Sequence, residues 1–259
     1  MKNQLKTEEL REFLDEKVEK FNRPGFIDQD PIQIPHQFER KEDIEIAGFL
    51  TATIAWGRRD MIIKNASTMM QLMDDSPHDF VVNHTPADLK VFDAFVHRTF
   101  QSQDLKFFLK QLRRLYSSGG LEQHFIPKES ETNLRNAFSR FHVLFFENEG
   151  SNFRTRKHVA NPEKGSSAKR LCMYLRWMAR PADAGVDFGL WKQIPLSKLS
   201  CPLDVHTGNV ARTLGMITRK ANDWKSVEEL DQYLRLLDPV DPVKYDFALF
   251  GLGVDEGWK

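Results

Sequence analysis

Apolar residues recur at helical spacing along almost the whole chain, and runs that alternate apolar with polar residues are scarce, so the pattern predicts an all-α fold. A first helix is expected from Thr7 to Phe21. In the following RPGFIDQDPIQIPHQF, Pro24, Pro31 and Pro35 interrupt helical hydrogen bonding and predict an ordered surface loop. An apolar segment covers Ile44 to about Ala55, and a further helix starts near Asp60, where Ile62, Ile63, Met69, Met70, Leu72 and Met73 fall close to one stripe. Thr85-Pro86-Ala87-Asp88 reads as a helix start: a cap, a proline at the first position and a carboxylate three residues on. Helices are also expected over Asp104 to Tyr116, ended by Gly119-Gly120, and from near Glu131, with Phe138, Phe141, Leu144 and Phe145 facing a core. Asp223 should cap Trp224 to Leu237, and Asp241-Pro242 should open a last helix through KYDFALFGLG.

At 259 residues the chain holds one large domain or two small ones, and 41% hydrophobic with 29% charged residues excludes both a disordered chain and a bilayer protein. No Gly/Ser linker divides it. The expected arrangement is a helical lobe over 40–150 and a second over 151–259, with the N-terminal helix and loop of 1–39 packed on the second lobe. The 37 basic and 37 acidic side chains cancel, so attraction to a polyanion has to be local. Cys172 and Cys201 are too few to staple a secreted scaffold, which predicts a reduced, cytoplasmic protein. The first 21 residues carry charge throughout, so neither a signal peptide nor a membrane span is expected. The histidines lack paired ligand spacing, and no metal or other cofactor is expected.

Residues 154–180 concentrate charge: Arg154, Arg156, Lys157, Lys164, Lys169, Arg170, Arg176 and Arg180 stand against the single acid Glu163. Such a cluster is the footprint of a phosphate-binding surface, or else a helix face compensated by acids elsewhere. Inside it, Lys164-Gly165-Ser166-Ser167-Ala168-Lys169 leads into RLCMYLRWM, a small-residue turn before a helix whose free N–H groups and serine hydroxyls would hold a phosphate oxygen. It is not a Walker loop, because the Gly-Lys-Ser/Thr ending is missing. Further on, in CPLDVHTGNVAR, Asp204 heads an amphipathic helix, where its plain role is a cap on the N–H of Thr207 or a neighbour.

The string PLDVHTGNVARTLG resembles the VDTHVxRVxxRLG signature of the helix-hairpin-helix DNA glycosylases, the superfamily of endonuclease III and the adenine glycosylases. KGSSAKRLCMYL is similar to that superfamily's LPGVGxKTAxxxL hairpin, with Gly165 on the first glycine, Ser167 on the second and Lys169 on the nucleophilic lysine of the bifunctional enzymes. GFLTATIAWGRRDMIIKNA and KYDFALFGLGV are similar to flanking segments, so the resemblance covers about residues 40–253. More closely, KRLCMYLRWM, VDFGLW, PLDVHTGNVAR and DPVKYDFALFGLG resemble a bacterial family of uncharacterised proteins distantly related to these glycosylases. There are departures: the Leu-Pro start and the second glycine are absent, the insertion between Lys169 and Asp204 is longer than in endonuclease III, and no C-terminal cysteine cluster exists to hold an iron–sulfur centre.

The resemblance implies a two-lobed bundle of the glycosylase type, acting in base excision repair on duplex DNA with a modified base flipped into a pocket. Asp204 would stabilise cationic character at the anomeric carbon, and Lys169 would attack that carbon to form a Schiff base. Arg154, Arg156, Lys157, Lys164 and Arg170, with the Gly165-Ser166-Ser167 turn, would contact phosphates. Trp56 and Arg58 stand where the superfamily often inserts a glutamine into the duplex, and Trp177, Phe188 and Trp191 are candidate stacking surfaces, Trp191 foremost. His206 is expected to orient the start of its helix. The competing expectations are a non-catalytic DNA- or RNA-binding protein on the same scaffold and, on fold divergence alone, an interaction adaptor. The oligomeric state cannot be read from the sequence.

Overall fold

The computed structural model describes residues 7–147 and 154–258. Among them are ten α-helices, ten short 3-10 segments and one hairpin of two-residue strands, an all-α architecture. The chain divides into two compact units. The first comprises the described residues up to Phe26, Pro127–Ser139 and those from Ala160 onwards; the second comprises Ile27–Ile126 and the described part of Arg140–Val159.

The second unit is built on α2 (Lys41–Thr53), α3 (Arg59–Gln71), α4 (Pro77–Asn83), α5 (Ser102–Tyr116) and the later turns of α6 (Arg135–Phe145). Helix α2 has no polar face from Ile44 to Thr53, because every residue there is buried. Even Glu45 lies inside, accepting the Tyr116 hydroxyl at 2.8 Å. The phenylalanines fill the core as expected: Phe49 meets Phe108, Phe141 and Phe145 with ring centroids 5.7–5.9 Å apart. Strands β1 (Val96–His97) and β2 (Phe100–Gln101) pair antiparallel with His97 opposite Phe100.

In the first unit, α1 (Thr7–Phe21) and α8 (Val205–Thr213) pack against α10 (Tyr245–Val254). Glycines permit the close approach: a Cβ on Gly253 would sit 3.1 Å from His206 Cβ, and one on Gly251 would sit 2.5 Å from Phe21 Cγ. Helices α7 (Lys169–Ala179) and α9 (Trp224–Leu237) complete the unit, α9 capped by Asp223, which accepts the Ser226 N–H at 3.0 Å.

Several local expectations shift. The Pro-rich segment folds as three 3-10 turns, Pro24–Gln29, Pro31–Gln33 and Pro35–Gln37. Thr85 and Asp88 do bond reciprocally, but the turn they close is only a 3-10 segment, Asp88–Phe92. Leu89 and Phe92, three apart, are both buried there, the spacing at which 3-10 side chains align. The helix expected from near Glu131 starts at Arg135, because the Asn133 side chain accepts the Arg135 N–H at 3.0 Å and caps the chain there. Helix α4 and the hairpin were not expected from the sequence pattern.

Candidate functional site

Lys169 owes its position to the turn before α7. Asn161 caps the Pro162–Lys164 turn, Gly165 follows in the left-handed region at φ +84°, and Ala168 occupies the same region at φ +51° as the cap of α7. For alanine that conformation costs about 1–2 kcal/mol. The loop is held by its neighbours: the Trp224 N–H donates to Gly165 O at 3.2 Å, Ser166 bridges to Asp223, and the Ser167 hydroxyl donates to Leu203 O at 3.4 Å. The left-handed positions are therefore Gly165 and Ala168, while Ser167 takes the place where the resemblance puts a glycine.

Asp204 arrives from the other side of that Ser167–Leu203 contact. It caps α8, accepting the Thr207 N–H on Oδ1 at 3.0 Å, and its backbone carbonyl accepts Asn222 Nδ2 at 3.0 Å. Its second oxygen, Oδ2, meets Lys169 Nζ at 2.9 Å, with the two side chains 19% and 32% exposed. Burial acts to raise the Asp204 pKa, but the Lys169 ammonium and the Thr207 N–H outweigh it and hold the carboxyl below its ordinary range. Asp204 is thus a carboxylate at neutral pH.

Behind this pair runs a row of ion pairs whose acidic members sequence reasoning missed. Lys169 and Arg176 on α7 and Arg180, the cap just past its end, recur at helical spacing, and the latter two are buried. Arg176 pairs with Asp246 and, at 3.3 Å, with Asp187; Arg180 reaches Asp187 at 2.5 Å and Asp241 at 2.8 Å. The Arg176 guanidinium also lies over the Phe247 ring, 4.3 Å from its centroid. Burial pushes the Asp246 carboxyl up, Arg176 opposes that, and the negative charge of Asp204 adds to the rise. The spacing of the cations was visible in the sequence, whereas their acidic partners come from the loop after α7 (Asp187) and from a distant segment (Asp241 and Asp246).

The basic run of 154–180 is divided between the two units and is partly neutralised. Arg154, Arg156 and Lys157 belong to the second unit and the rest to the first, and Arg154, Arg176 and Arg180 are each engaged by carboxylates. The Arg156 guanidinium lies over the Phe146 ring. Lys157, Lys164, Gly165 and Ser166 are exposed, and Arg170 is half-buried, its pKa drawn down by burial to about 10, so it stays cationic at neutral pH. Trp191 offers no stacking face: it is 1% exposed and packs edge-on against Tyr174. Trp177 is fully buried and Phe188 half-buried, and His206 is exposed. Trp56 is half-buried and Arg58 is exposed and paired with Asp60, both in the second unit. Among the described residues no group of three or more His, Cys, Asp or Glu side chains is arranged for a metal ion, and no helix is long and apolar enough to cross a membrane.

The fold and the paired lysine and aspartate define an all-α protein with a partly exposed ion pair at the starts of two helices. The chain belongs to the DUF2400 family, described as a protein of unknown function, whose family model matches residues 30–255. No curated protein and no solved structure matches it.

Proposed function

We propose that the chain is a DNA-repair glycosylase of the helix-hairpin-helix type with AP-lyase chemistry, removing a modified base from duplex DNA through Lys169 and Asp204. One observation carries the reading: the two residues that the resemblance makes catalytic, on separate segments, meet at 2.9 Å. Each is partly exposed at the start of a helix.

The chemistry follows from the pair. Held ionised, Asp204 serves as fixed negative charge beside an anomeric carbon that becomes cationic as its bond to the base breaks. The base leaves with the bonding electrons and takes a proton from the Lys169 ammonium. The neutral amine then donates its lone pair to that carbon. Opening of the sugar ring, with transfer of one of the two remaining N–H protons to the ring oxygen, gives a protonated imine. Loss of a C2′ proton expels the 3′ phosphate and nicks the strand.

The test is borohydride trapping on duplexes carrying an abasic site, uracil or an oxidised base. The wild-type protein should form a covalent adduct that Lys169→Gln abolishes and Asp204→Asn greatly slows. Neither adduct nor free base from any of these duplexes would overturn the reading, and DNA binding without chemistry would then assign the scaffold to a binding protein.

A further inference from the structure

The chain reaches Asp204 through a stretch with no regular hydrogen bonding of its own. From Leu199 to Leu203 every residue is buried in neither helix nor strand, so the backbone N–H and C=O groups need partners from elsewhere. Helix α9 supplies some of them from two side chains one turn apart. Asp231, 2% exposed, accepts the Cys201 N–H on Oδ1 at 2.9 Å. Arg235 donates from Nε to Ser197 O at 2.8 Å and from Nη2 to Leu199 O at 3.1 Å.

Between themselves these two side chains close no hydrogen bond, since Asp231 Oδ2 stands 3.8 Å from Arg235 Nη2. Around the Asp231 carboxyl lie Glu228 on α9, the Ser200 hydroxyl and Cys201 thiol on the buried stretch, and the Cys172 thiol on α7. From α10, Asp246 Oδ1 lies 3.8 Å from Cys201 Sγ, and its other oxygen is held by Arg176. Burial pushes both thiols up, so they are neutral at neutral pH, and it pushes the Asp231 carboxyl up to about 6. An ionised Asp231 grips the Cys201 N–H more tightly than a neutral one, because a hydrogen bond to a charged acceptor is shorter and about twice as strong. The buried charge costs the fold stability while it strengthens this one bond.

We infer that Asp231 and Arg235 form a latch on the stretch leading to Asp204, closed when Asp231 is ionised, and that its closing sets how firmly Asp204 stands against Lys169. Only Pro202 and Leu203 separate the latched Cys201 from Asp204. The proline ring stiffens that link, and Leu203 O is itself tied to the Ser167 hydroxyl, two residues before Lys169. A shift at Cys201 therefore has little slack in which to dissipate before it reaches the pair. That the latch regulates catalysis rests on the lyase reading; the latch itself rests on the hydrogen bonds to α9.

The experiment titrates the full chain on both sides of the Asp231 pKa of about 6, by carbon-13 NMR of the aspartate carboxyls and by amide exchange, in wild type and Asp231→Asn. Asparagine keeps an acceptor oxygen without the buried charge, so the variant should melt no lower than wild type. In wild type, exchange of the Cys201 N–H, corrected for base catalysis, should slow several-fold as Asp231 ionises. The Asp204 carboxyl resonance, assigned with Asp204→Asn, should move with the same midpoint, and Asp231→Asn should lose both steps. Either step without the other overturns the inference, because a change confined to Cys201 is one local bond and a change confined to Asp204 is a field acting through space. Two steps that survive in Asp231→Asn overturn it as well. Borohydride trapping on an abasic duplex, run in parallel, separates the two claims. A wild-type adduct with neither step removes the latch alone, whereas both steps without adduct or released base remove the catalytic reading alone.

Discussion

The Asp204 carboxylate holds two donors at once, the Thr207 N–H on one oxygen at 3.0 Å and the Lys169 ammonium on the other at 2.9 Å. Cap and candidate catalyst are therefore one group, and substitution can separate them. Asparagine caps a helix about as well as aspartate, so Asp204→Asn should keep the fold within about 1 kcal/mol while removing base release. Asp204→Ala loses the cap too and should cost about 1–2 kcal/mol, read by chemical denaturation.

The same carboxylate sets an acid limb. Its pKa is lower folded than unfolded, so the stability it contributes is present above about pH 4 and disappears as pH falls through the folded value. Asp204→Asn should flatten that part of the melting-temperature profile relative to wild type.

Asp231 behaves in the opposite sense. Its carboxyl, buried in α9 and accepting the Cys201 N–H at 2.9 Å, is pushed by burial up to about 6 against the pull of Arg235. Between about pH 4 and that value the folded chain retains a proton that the unfolded chain has lost, so this group's contribution falls as pH rises. Asp231→Asn keeps an acceptor oxygen without the charge. Its stability should gain on wild type across that window and hold a constant lead above it.

Arg176 is buried between Asp187 and Asp246. Replacing it with methionine would leave both carboxylates without their shared cation, a loss of about 3–5 kcal/mol. Denaturation of Arg176→Met measures this, and an effect under about 1 kcal/mol would mean that Arg180 and water compensate.

Gly251 lies where α10 meets Phe21, and Gly251→Ala drives a methyl into the ring. The expected loss is about 1–3 kcal/mol. Phe21→Ala in the same chain should remove that increment, so a double-mutant cycle reads the contact directly.

Legibility in the sequence followed the range of the forces involved. Helices α1 and α9 start and end where periodicity and the Asp223 cap place them, because both signals are local. Helix α6 and the Thr85 turn departed where a side chain competed for the backbone or burial favoured a tighter turn. The Asp204 cap was legible three residues ahead in Thr207. The partners of Arg176 and Arg180 were not, because a count along 154–180 reports charge but not the distant aspartates that neutralise it. Asp231 and Arg235 escaped notice for a related reason: their spacing on α9 is readable, but nothing in the letters announces that they serve the Cys201 N–H and the Leu199 carbonyl.

Helix α7 is fastened at one end and open at the other: Arg176 and Arg180 tie its C-terminal half to buried carboxylates, while Lys169 at its first position is partly exposed. Amide exchange should be slowest around Arg176–Ala179 and rise towards Lys169. Under the proposed lyase chemistry, a lysine carried on a helix anchored at its far end needs little reorganisation to meet an electrophile, since the entropy of placing it is lost when the chain folds and not at each encounter.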